Sequence, residues 1–237
     1  MSNYLIKTFL AVTIAMLGIS PHSFAANVTV VHGIDGRDLS LSKDLPVDIS
    51  VNGNCAFTNV KYQQSAKATL PTGNYSIAVH PSDGSCKQTA LFSGTARITN
   101  RIRSAAIVAN LSAQGAPELS VINTTVRTKD SSSTACTSFV HAAFAPKVFI
   151  ESRTNGSIAG TFSTNASYSN SNLLFGPCAA TRSTIRTRFT VRATRTSTPI
   201  VRFSSSARAG SSVVDIIVGS TKNGLSLVRV TGTVVRP

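Results

Sequence analysis

Short runs in which apolar and polar residues alternate recur along most of the chain, at a spacing of about ten residues. In residues 47–51 the apolar side chains alternate with Asp48 and Ser50, and the turn sequence Asn-Gly-Asn at 52–54 follows directly. Residues 104–111 are apolar almost throughout, which is typical of a central strand. Helical periodicity is absent beyond the N-terminal region. The pattern therefore predicts an all-β protein.

The order of these patterns repeats along the chain. Residues 28–32 resemble residues 137–141, and residues 104–109 resemble residues 213–218, with an offset of 109 positions in both cases. Each repeated unit would be about 105 residues long, which is a common size for a β-sandwich. We therefore predict two tandem antiparallel β-sandwich domains.

The domain boundaries follow from this offset. The first domain is predicted to span residues 26–126 and the second to span residues 135–237. Residues 127–134 are predicted to be a linker, because Lys-Asp-Ser-Ser-Ser at 129–133 has the polar composition of a connecting segment.

The N-terminal region has the three parts of a secretory signal peptide. A short positive segment at 1–7 precedes an apolar run at 9–19, and Ser-Phe-Ala at 23–25 offers small residues to a signal peptidase. The run of 11 apolar residues is too short to span a bilayer, which takes about 20. We predict a signal peptide at 1–25, cleavage after Ala25, no remaining transmembrane span, and export to the periplasm, cell surface or extracellular medium.

The four cysteines are predicted to form disulfides, because an exported chain folds in an oxidising compartment. Three pairings are open. We predict Cys55–Cys86 and Cys136–Cys178, since each bond then stays within one domain. No Cys-x-x-Cys pair is present, and no zinc site is expected.

The net charge of +14 is distributed unevenly. Residues 26–130 contain ten Lys and Arg against seven Asp and Glu, whereas residues 131–237 contain twelve against two. The two acidic residues of the second half are Glu151 and Asp215. The second unit is therefore the basic one, and nearly all of its positive charge is Arg.

A stripe of arginines is the most distinctive feature of this basic unit. In an extended strand alternate side chains share a face and lie about 6.6–6.8 Å apart along it. That spacing places four arginines on one face and a fifth in the following strand: Arg182, Arg186, Arg188, Arg192 and Arg202. The stripe is either a solvated strand face or a binding site for an anionic polymer.

The residue type indicates which polymers would bind to such a stripe. The guanidinium fork makes paired hydrogen bonds to phosphate, sulfate and carboxylate groups. Lipopolysaccharide and phosphorylated or acidic glycans are therefore the predicted partners. No specific nucleic acid is expected, because aromatic residues do not alternate with the arginines as stacking platforms.

Other side chains that could carry chemistry are predicted to be structural. His32 and His141 occupy equivalent repeat positions at strand ends, where the ring would hydrogen-bond the backbone of the adjoining loop. A role as a metal ligand or an acid–base group is the alternative for these two histidines. No Gly-x-Ser-x-Gly nucleophile motif is present. The sequence therefore predicts no enzyme, no catalytic residue, no cofactor and no metal. Calcium binding stays open at four aspartates whose spacing departs from that of an EF-hand loop: Asp35, Asp38, Asp44 and Asp48.

Three segments together resemble a known family. They are Val-Val-His at 30–32, Leu-Pro-Val-Asp-Ile-Ser-Val-Asn-Gly at 45–53 and Leu-Pro-Thr-Gly-Asn-Tyr-Ser-Ile-Ala-Val at 70–79. The pattern is similar to that of the domain of unknown function 4397, which occurs largely in exported bacterial proteins and often in tandem. The resemblance covers about residues 28–122.

The second unit has diverged from this pattern. Residues 148–150 lack the Asp, and Phe-Gly-Pro-Cys-Ala-Ala at 175–180 replaces the Leu-Pro-x-Gly-x-Tyr turn. The resemblance implies a prealbumin- or immunoglobulin-like sandwich in a secreted or surface setting. It carries no known activity, so it implies no catalytic residue in this chain.

Three functional hypotheses follow from the sequence. The first is a non-enzymatic secreted or envelope binding or adhesion module, which contacts anionic polymers through the arginine stripe. The second is a structural or assembly component of an envelope complex, which contacts its partner through sheet edges or the domain interface. The third is a hydrolase of unknown class, supported only by the presence of Ser, His and Asp.

Overall fold

The computed structural model describes residues 24–146, 148–154, 157–163, 178–180 and 184–237. These residues form strands and one short 3₁₀ turn at Gly36–Leu39, so the predicted all-β fold is confirmed. Of the predicted signal peptide, only Phe24 and Ala25 lie within the described residues.

The strands fall into two groups along the chain. The first unit contains β1 (Ala25–His32), β2 (Val47–Val51), β3 (Asn54–Val60), β4 (Ser65–Pro71), β5 (Gly73–Pro81), β6 (Phe92–Ile98), β7 (Ser104–Leu111) and β8 (Pro117–Asn123). After β9 (Thr125–Arg127), the second unit contains β10 (Thr134–His141), β11 (Phe149–Thr154), β12 (Ser157–Ser163), β13 (Cys178–Ala180), β14 (Thr184–Arg192), β15 (Pro199–Arg208), β16 (Ser211–Ser220) and β17 (Gly224–Val235).

The strands form four sheets, and the two units share one topology. The order β4-β1-β7-β8 of the first unit corresponds to β13-β10-β16-β17 of the second, and β3-β2-β5-β6 corresponds to β12-β11-β14-β15. The two units that resemble each other in sequence therefore also have the same order of strands in their sheets. Most pairs are antiparallel as predicted, but β1 pairs with β7, and β10 with β16, in parallel. Apolar patterning defines the face of a strand and not its direction, so the sequence could not reveal these parallel pairs.

Each unit buries an apolar core between its two sheets. In the first unit, alternate residues such as Val28 and Val30 of β1 pack against Val47 and Ile49 of β2. In the second unit, Phe139 packs against Phe189, with ring centroids 6.0 Å apart. This interdigitation of two inner faces defines a β-sandwich.

A third core joins the two units. Val31 and Val108 of the first unit share one buried cluster with Val140, Ile216 and other residues of the second. The sheet containing β7 therefore packs against the sheet containing β10, and the four sheets form a stack. Every residue of β7 and of β10 is buried, which explains the continuous apolar pattern of residues 104–111.

Polar contacts at the edge of this third core also join the two units. The Arg37 guanidinium donates to the Asn223 carbonyl at 2.7 Å, and the Gln63 amide donates to the Ser226 hydroxyl at 2.8 Å. Gly219 has a φ of +89°, and a Cβ there would collide with the Tyr62 hydroxyl. The two units are therefore joined at this edge by hydrogen bonds and by a close approach of Tyr62 to Gly219.

The segment between the two units pairs with the sheet that contains β10, β13, β16 and β17. Residues Thr125, Val126 and Arg127 of β9 pair in parallel with Thr233, Val234 and Val235 of β17. The first residue of β10 is Thr134. The boundaries at 26–126, 127–134 and 135–237 stay predictions, and the strands on either side of them share one sheet.

Both predicted disulfide pairings are confirmed. Cys55 of β3 is bonded to Cys86 in the segment after β5, and Cys136 of β10 is bonded to Cys178 of β13. The two bonds enclose 31 and 42 positions of sequence, so each should stabilise its unit by about 3–4 kcal/mol.

Within the described ranges, the structure has no helix of the length and apolar character needed to cross a bilayer.

Candidate polyanion-binding face

Strand β14 separates apolar from basic side chains by simple alternation. Ile185, Phe189 and Val191 point inward and are buried in the core of the second unit. Arg186 and Arg188 point outward and are exposed. Successive strand residues face opposite sides, so burying the first set places the second set in solvent.

The arginine face is defined here as the outward surface of β11, β14 and β15 together with the loop that joins β14 to β15. It carries seven described arginines: Arg153, Arg186, Arg188, Arg192, Arg195, Arg202 and Arg208. Among the predicted residues, Arg186, Arg188 and Arg202 are exposed on this face. Arg192 is half-buried at its end, where the guanidinium donates to the Ser197 carbonyl. Arg182 lies outside the described residues.

Three arginines of the face were missed by sequence reasoning. Arg153 of β11 lies directly across from Arg188 of β14, and Arg208 lies further along β15. Arg195 in the loop stacks over the Phe149 ring at 5.0 Å from its centroid. The alternation at 200–208 could have revealed Arg208, but the pairing of β11 with β14 is a long-range feature that strand patterns do not specify.

Almost no negative charge balances these arginines. Glu151 is the one acidic residue on the described part of the face, and it accepts a hydrogen bond from Arg153 at 2.7 Å. Within the described ranges no carboxylate lies in salt-bridge distance of Arg186, Arg188, Arg202 or Arg208. The face is therefore strongly positive, and these four arginines are available to an external anion.

The equivalent face of the first unit is nearly neutral. Strand β5 holds the position in its sheet that β14 holds in the second unit, and its outward residues include Asn74, Ser76 and Ala78. The neighbouring strand β6 contributes one outward arginine, Arg97. Because the same topology forms with neutral side chains here, the fold itself does not require the arginines of β14.

The other acidic residue of the second unit is buried on the opposite side of β15. Asp215 is fully buried and accepts a hydrogen bond from Arg229 at 2.7 Å. The same guanidinium donates to the Ser204 carbonyl of β15 at 3.0 Å. Among the described strands, β15 is the last of its sheet, so this contact occupies part of an edge that these strands leave unpaired.

Both repeat-related histidines hydrogen-bond the backbone of the adjoining loop, as the sequence predicted. His32 Nε2 lies 2.9 Å from the Leu45 carbonyl, and its Nδ1 accepts from the Ile34 N–H at 3.4 Å. His141 repeats this arrangement with the Pro146 carbonyl at 3.2 Å and the Ala143 N–H at 3.3 Å. Each ring therefore anchors the loop that follows its strand.

We predict that His32 and His141 make the stability of the folded protein depend on pH. Burial lowers the pKa of both His32 and His141 below 6.5, against the opposing effect of the carbonyl hydrogen bonds. The unfolded chain then binds more protons, so the free energy of unfolding should fall as pH drops below about 6.5. Urea unfolding at a series of pH values should show this loss, and His32→Gln with His141→Gln should reduce it. An equal loss in the double variant would contradict this account.

The aspartates considered for calcium are largely engaged by protein donors. Asp35 accepts from the Arg37 guanidinium at 2.6 and 3.0 Å, and Asp38 accepts from the Ser220 hydroxyl at 2.7 Å. Asp44 is exposed. Asp48 is fully buried and accepts four hydrogen bonds, from the Asn59, Asp83 and Gly84 N–H groups and the Ser82 hydroxyl.

The side chain of Asp48 also belongs to the one group of possible metal ligands found in the described ranges. Its partners there are Cys55 and Cys86, which are bonded to each other and offer no thiolate. This group therefore lacks the donors that a zinc site needs.

The first unit also contains a buried serine–histidine pair. The Ser50 hydroxyl lies 3.0 Å from His80 Nε2, and His80 Nδ1 lies 2.7 Å from the Gln88 carbonyl. Ser50 is 5% exposed and His80 is 8% exposed, and a backbone carbonyl stands where a hydrolase triad has a carboxylate. The pair holds the segment after β5 against the outer sheet, and the absence of catalysis stays a prediction.

The comparisons with known proteins identify the family. The sequence profile described as Domain of unknown function (DUF4397) matches residues 26–151, and the chain belongs to this family. The predicted family is thereby confirmed. No curated protein matches the chain.

One of the solved structures that match the chain has a low overall similarity to it. It is the crystal structure of a "putative cell adhesion protein" from Bacteroides ovatus, with 6% sequence identity and a TM-score of 0.24. The alignment covers 89% of this chain and 98% of that one.

Proposed function

We propose that this protein is a non-enzymatic binding or adhesion module of the cell envelope, and that its arginine face contacts an anionic polymer. The contrast between the two outer faces carries this proposal. Arginines that have no carboxylate partner among the described residues line the outward side of β14 and β15, whereas Asn74, Ser76 and Ala78 line β5 in the same topological position.

Export is part of the proposal. The two disulfides suit an oxidising compartment, and the family resemblance implies a secreted or surface setting. The predicted signal peptide would direct the chain there. In that location the abundant polyanions are lipopolysaccharide and phosphorylated or acidic glycans, which are the partners that we propose.

The geometry favours face-on contact over edge-on assembly. The Arg229 guanidinium donates a hydrogen bond to the Ser204 carbonyl at the outer edge of β15. A partner strand that paired with this edge would have to displace the Arg229 side chain. The arginine face itself is exposed and carries regularly spaced donors. A polymer that lies across the strands would meet several guanidinium groups at once.

A salt series tests this function. Purified protein with both disulfides formed would be passed over immobilised lipopolysaccharide, a phosphorylated glycan, an acidic glycan and neutral dextran. Retention on the anionic polymers at about 20 mM salt, lost by about 500 mM, is the expected result because salt screens exposed charges. No retention on any anionic polymer at low salt would refute the proposal. Equal retention on neutral dextran would show that charge does not drive binding.

A further inference from the structure

We infer that the arginine face contains a discrete subsite for one phosphate ester group, formed by Arg188, Arg202 and Ser204. This inference rests on the proposed function and deepens it, because it names the anionic group that the polymer carries. These three residues, together with Phe203, line a surface depression of about 260 Å³.

The sheet register explains why these three residues meet. Arg188 of β14 lies directly across from Ser204 of β15, and Arg202 lies two residues before Ser204 on the same face. Directly opposite residues in such a pair have Cβ atoms about 4.5–5.5 Å apart, and diagonal neighbours are about 7–8 Å apart. One hydroxyl and two guanidinium groups can therefore reach a single group between them.

The subsite is held in place by the core beneath it. Phe203 points inward between Arg202 and Ser204, and its ring lies 5.1 Å from Phe189 and 5.7 Å from Phe139. This stacking fixes the backbone that carries both outward residues. Ordering the binding groups in advance reduces the entropy that a ligand must overcome.

The charge and donor count of the subsite match a phosphate ester. Neither Arg188 nor Arg202 has a carboxylate partner in the described ranges, so the depression presents two positive charges. A phosphate monoester carries about −1.5 to −2 charge and three strong acceptor oxygens at neutral pH. A carboxylate carries −1 and two oxygens, so it leaves part of the charge and some donors unmatched.

The neighbouring arginines are less suited to this role. Arg153 lies across from Arg188 but is engaged by Glu151 at 2.7 Å. Arg208 lies on the same face of β15 as Arg202, four positions beyond Ser204 and outside the depression. Arg208 and Ser206 therefore provide matched controls, with the same residue types on the same strand and face.

The test compares a phosphorylated polymer with its dephosphorylated form and with polymers that carry sulfate or carboxylate instead. The affinity of the full protein would be measured for a phosphorylated glycan, the same glycan after phosphatase treatment, a sulfated glycan and polygalacturonate, at equal ionic strength. Lipopolysaccharide before and after phosphatase treatment forms a second arm, and the arm with the stronger binding identifies the lipid or the glycan as the source. We expect wild-type protein to prefer each phosphorylated form by about tenfold or more.

Four single substitutions test which residues cause the preference for phosphorylated polymers. Arg202→Lys keeps the charge but loses the guanidinium fork, and Ser204→Ala removes one donor, so each should lower the phosphate preference by about threefold to tenfold. Arg208→Lys lowers the affinity for every anionic polymer alike, and Ser206→Ala does not alter it, so both should leave the ratio of affinities for phosphorylated and dephosphorylated polymer unchanged. All four side chains are exposed, so thermal unfolding should be unaffected.

The outcomes separate the subsite from the proposed function. If wild-type protein binds all the anionic polymers equally, the subsite is refuted and the proposed function stands. If Arg202→Lys and Ser204→Ala retain the preference, the arginine face acts only through its total charge, and the subsite is again refuted. If the control variants lose the preference as much as Arg202→Lys does, the preference does not arise in the depression, and the subsite is refuted as well. If no polymer binds at low salt, both proposals fail.

Discussion

Replacing Arg186, Arg188 and Arg202 together with serine should lower the affinity for an anionic envelope polymer by about a thousandfold. Each guanidinium that bonds an anionic group contributes about a factor of ten, and these three have no carboxylate partner in the described ranges. Binding titrations at low salt would measure the loss. The slope of affinity against salt should also become shallower, because fewer cations contact the polymer.

A matched control variant distinguishes binding through the arginine face from binding that depends only on the net charge of the protein. Arg97→Ser, Arg101→Ser and Lys222→Ser remove the same charge from exposed positions elsewhere. This variant should bind within about threefold of wild type, since only long-range attraction is reduced. Equal losses in the two triple variants would show that binding follows total charge and not the arrangement of the arginine face.

Asp48→Ala should lower the free energy of unfolding by about 3–5 kcal/mol, which is the second large effect expected. The carboxylate is fully buried and accepts hydrogen bonds at 2.6–3.0 Å, so its removal leaves several donors without a partner. Urea unfolding at neutral pH would measure the change. A loss below about 1 kcal/mol would contradict this role for Asp48.

We also predict that the Asp48 carboxylate makes the folded protein less stable in acid. Burial acts to raise the pKa of Asp48, but the four hydrogen bonds outweigh it and lower the pKa from 3.8 to about 2. The stabilisation, on the order of 2 kcal/mol, is therefore present above pH 3.8 and is lost as the pH falls towards 2. The Asp48→Asn variant should lack this step in its stability profile, and an unchanged profile would refute the assignment.

Features that depend on local patterning could be predicted from the sequence. Alternation in β14 placed Arg186 and Arg188 opposite the buried Ile185 and Phe189, because side chains two apart always share a strand face. The repeat offset likewise identified His32 and His141 as equivalent. The disulfide pairs followed from assigning each bond to one unit.

Features that depend on long-range pairing could not be predicted. The proximity of Arg153 to Arg188 arises because β11 pairs with β14, which no local pattern specifies. Arg192 lies on the predicted face, but its guanidinium contacts the Ser197 carbonyl of the following loop. The role of Asp48 depends on donors as far away as residue 84. In each case the sequence defines the face of a strand, and the fold determines what lies across from it.

Side-chain NMR of the arginine Nε–H groups during titration with a phosphorylated glycan would test the central claim most directly. The predicted result is that the signals of Arg186, Arg188 and Arg202 shift at low salt, while those of Arg97 and Arg101 in the first unit do not. Shifts confined to the first unit, or spread evenly over all arginines, would contradict the account, because the polymer would then bind elsewhere or without a defined site.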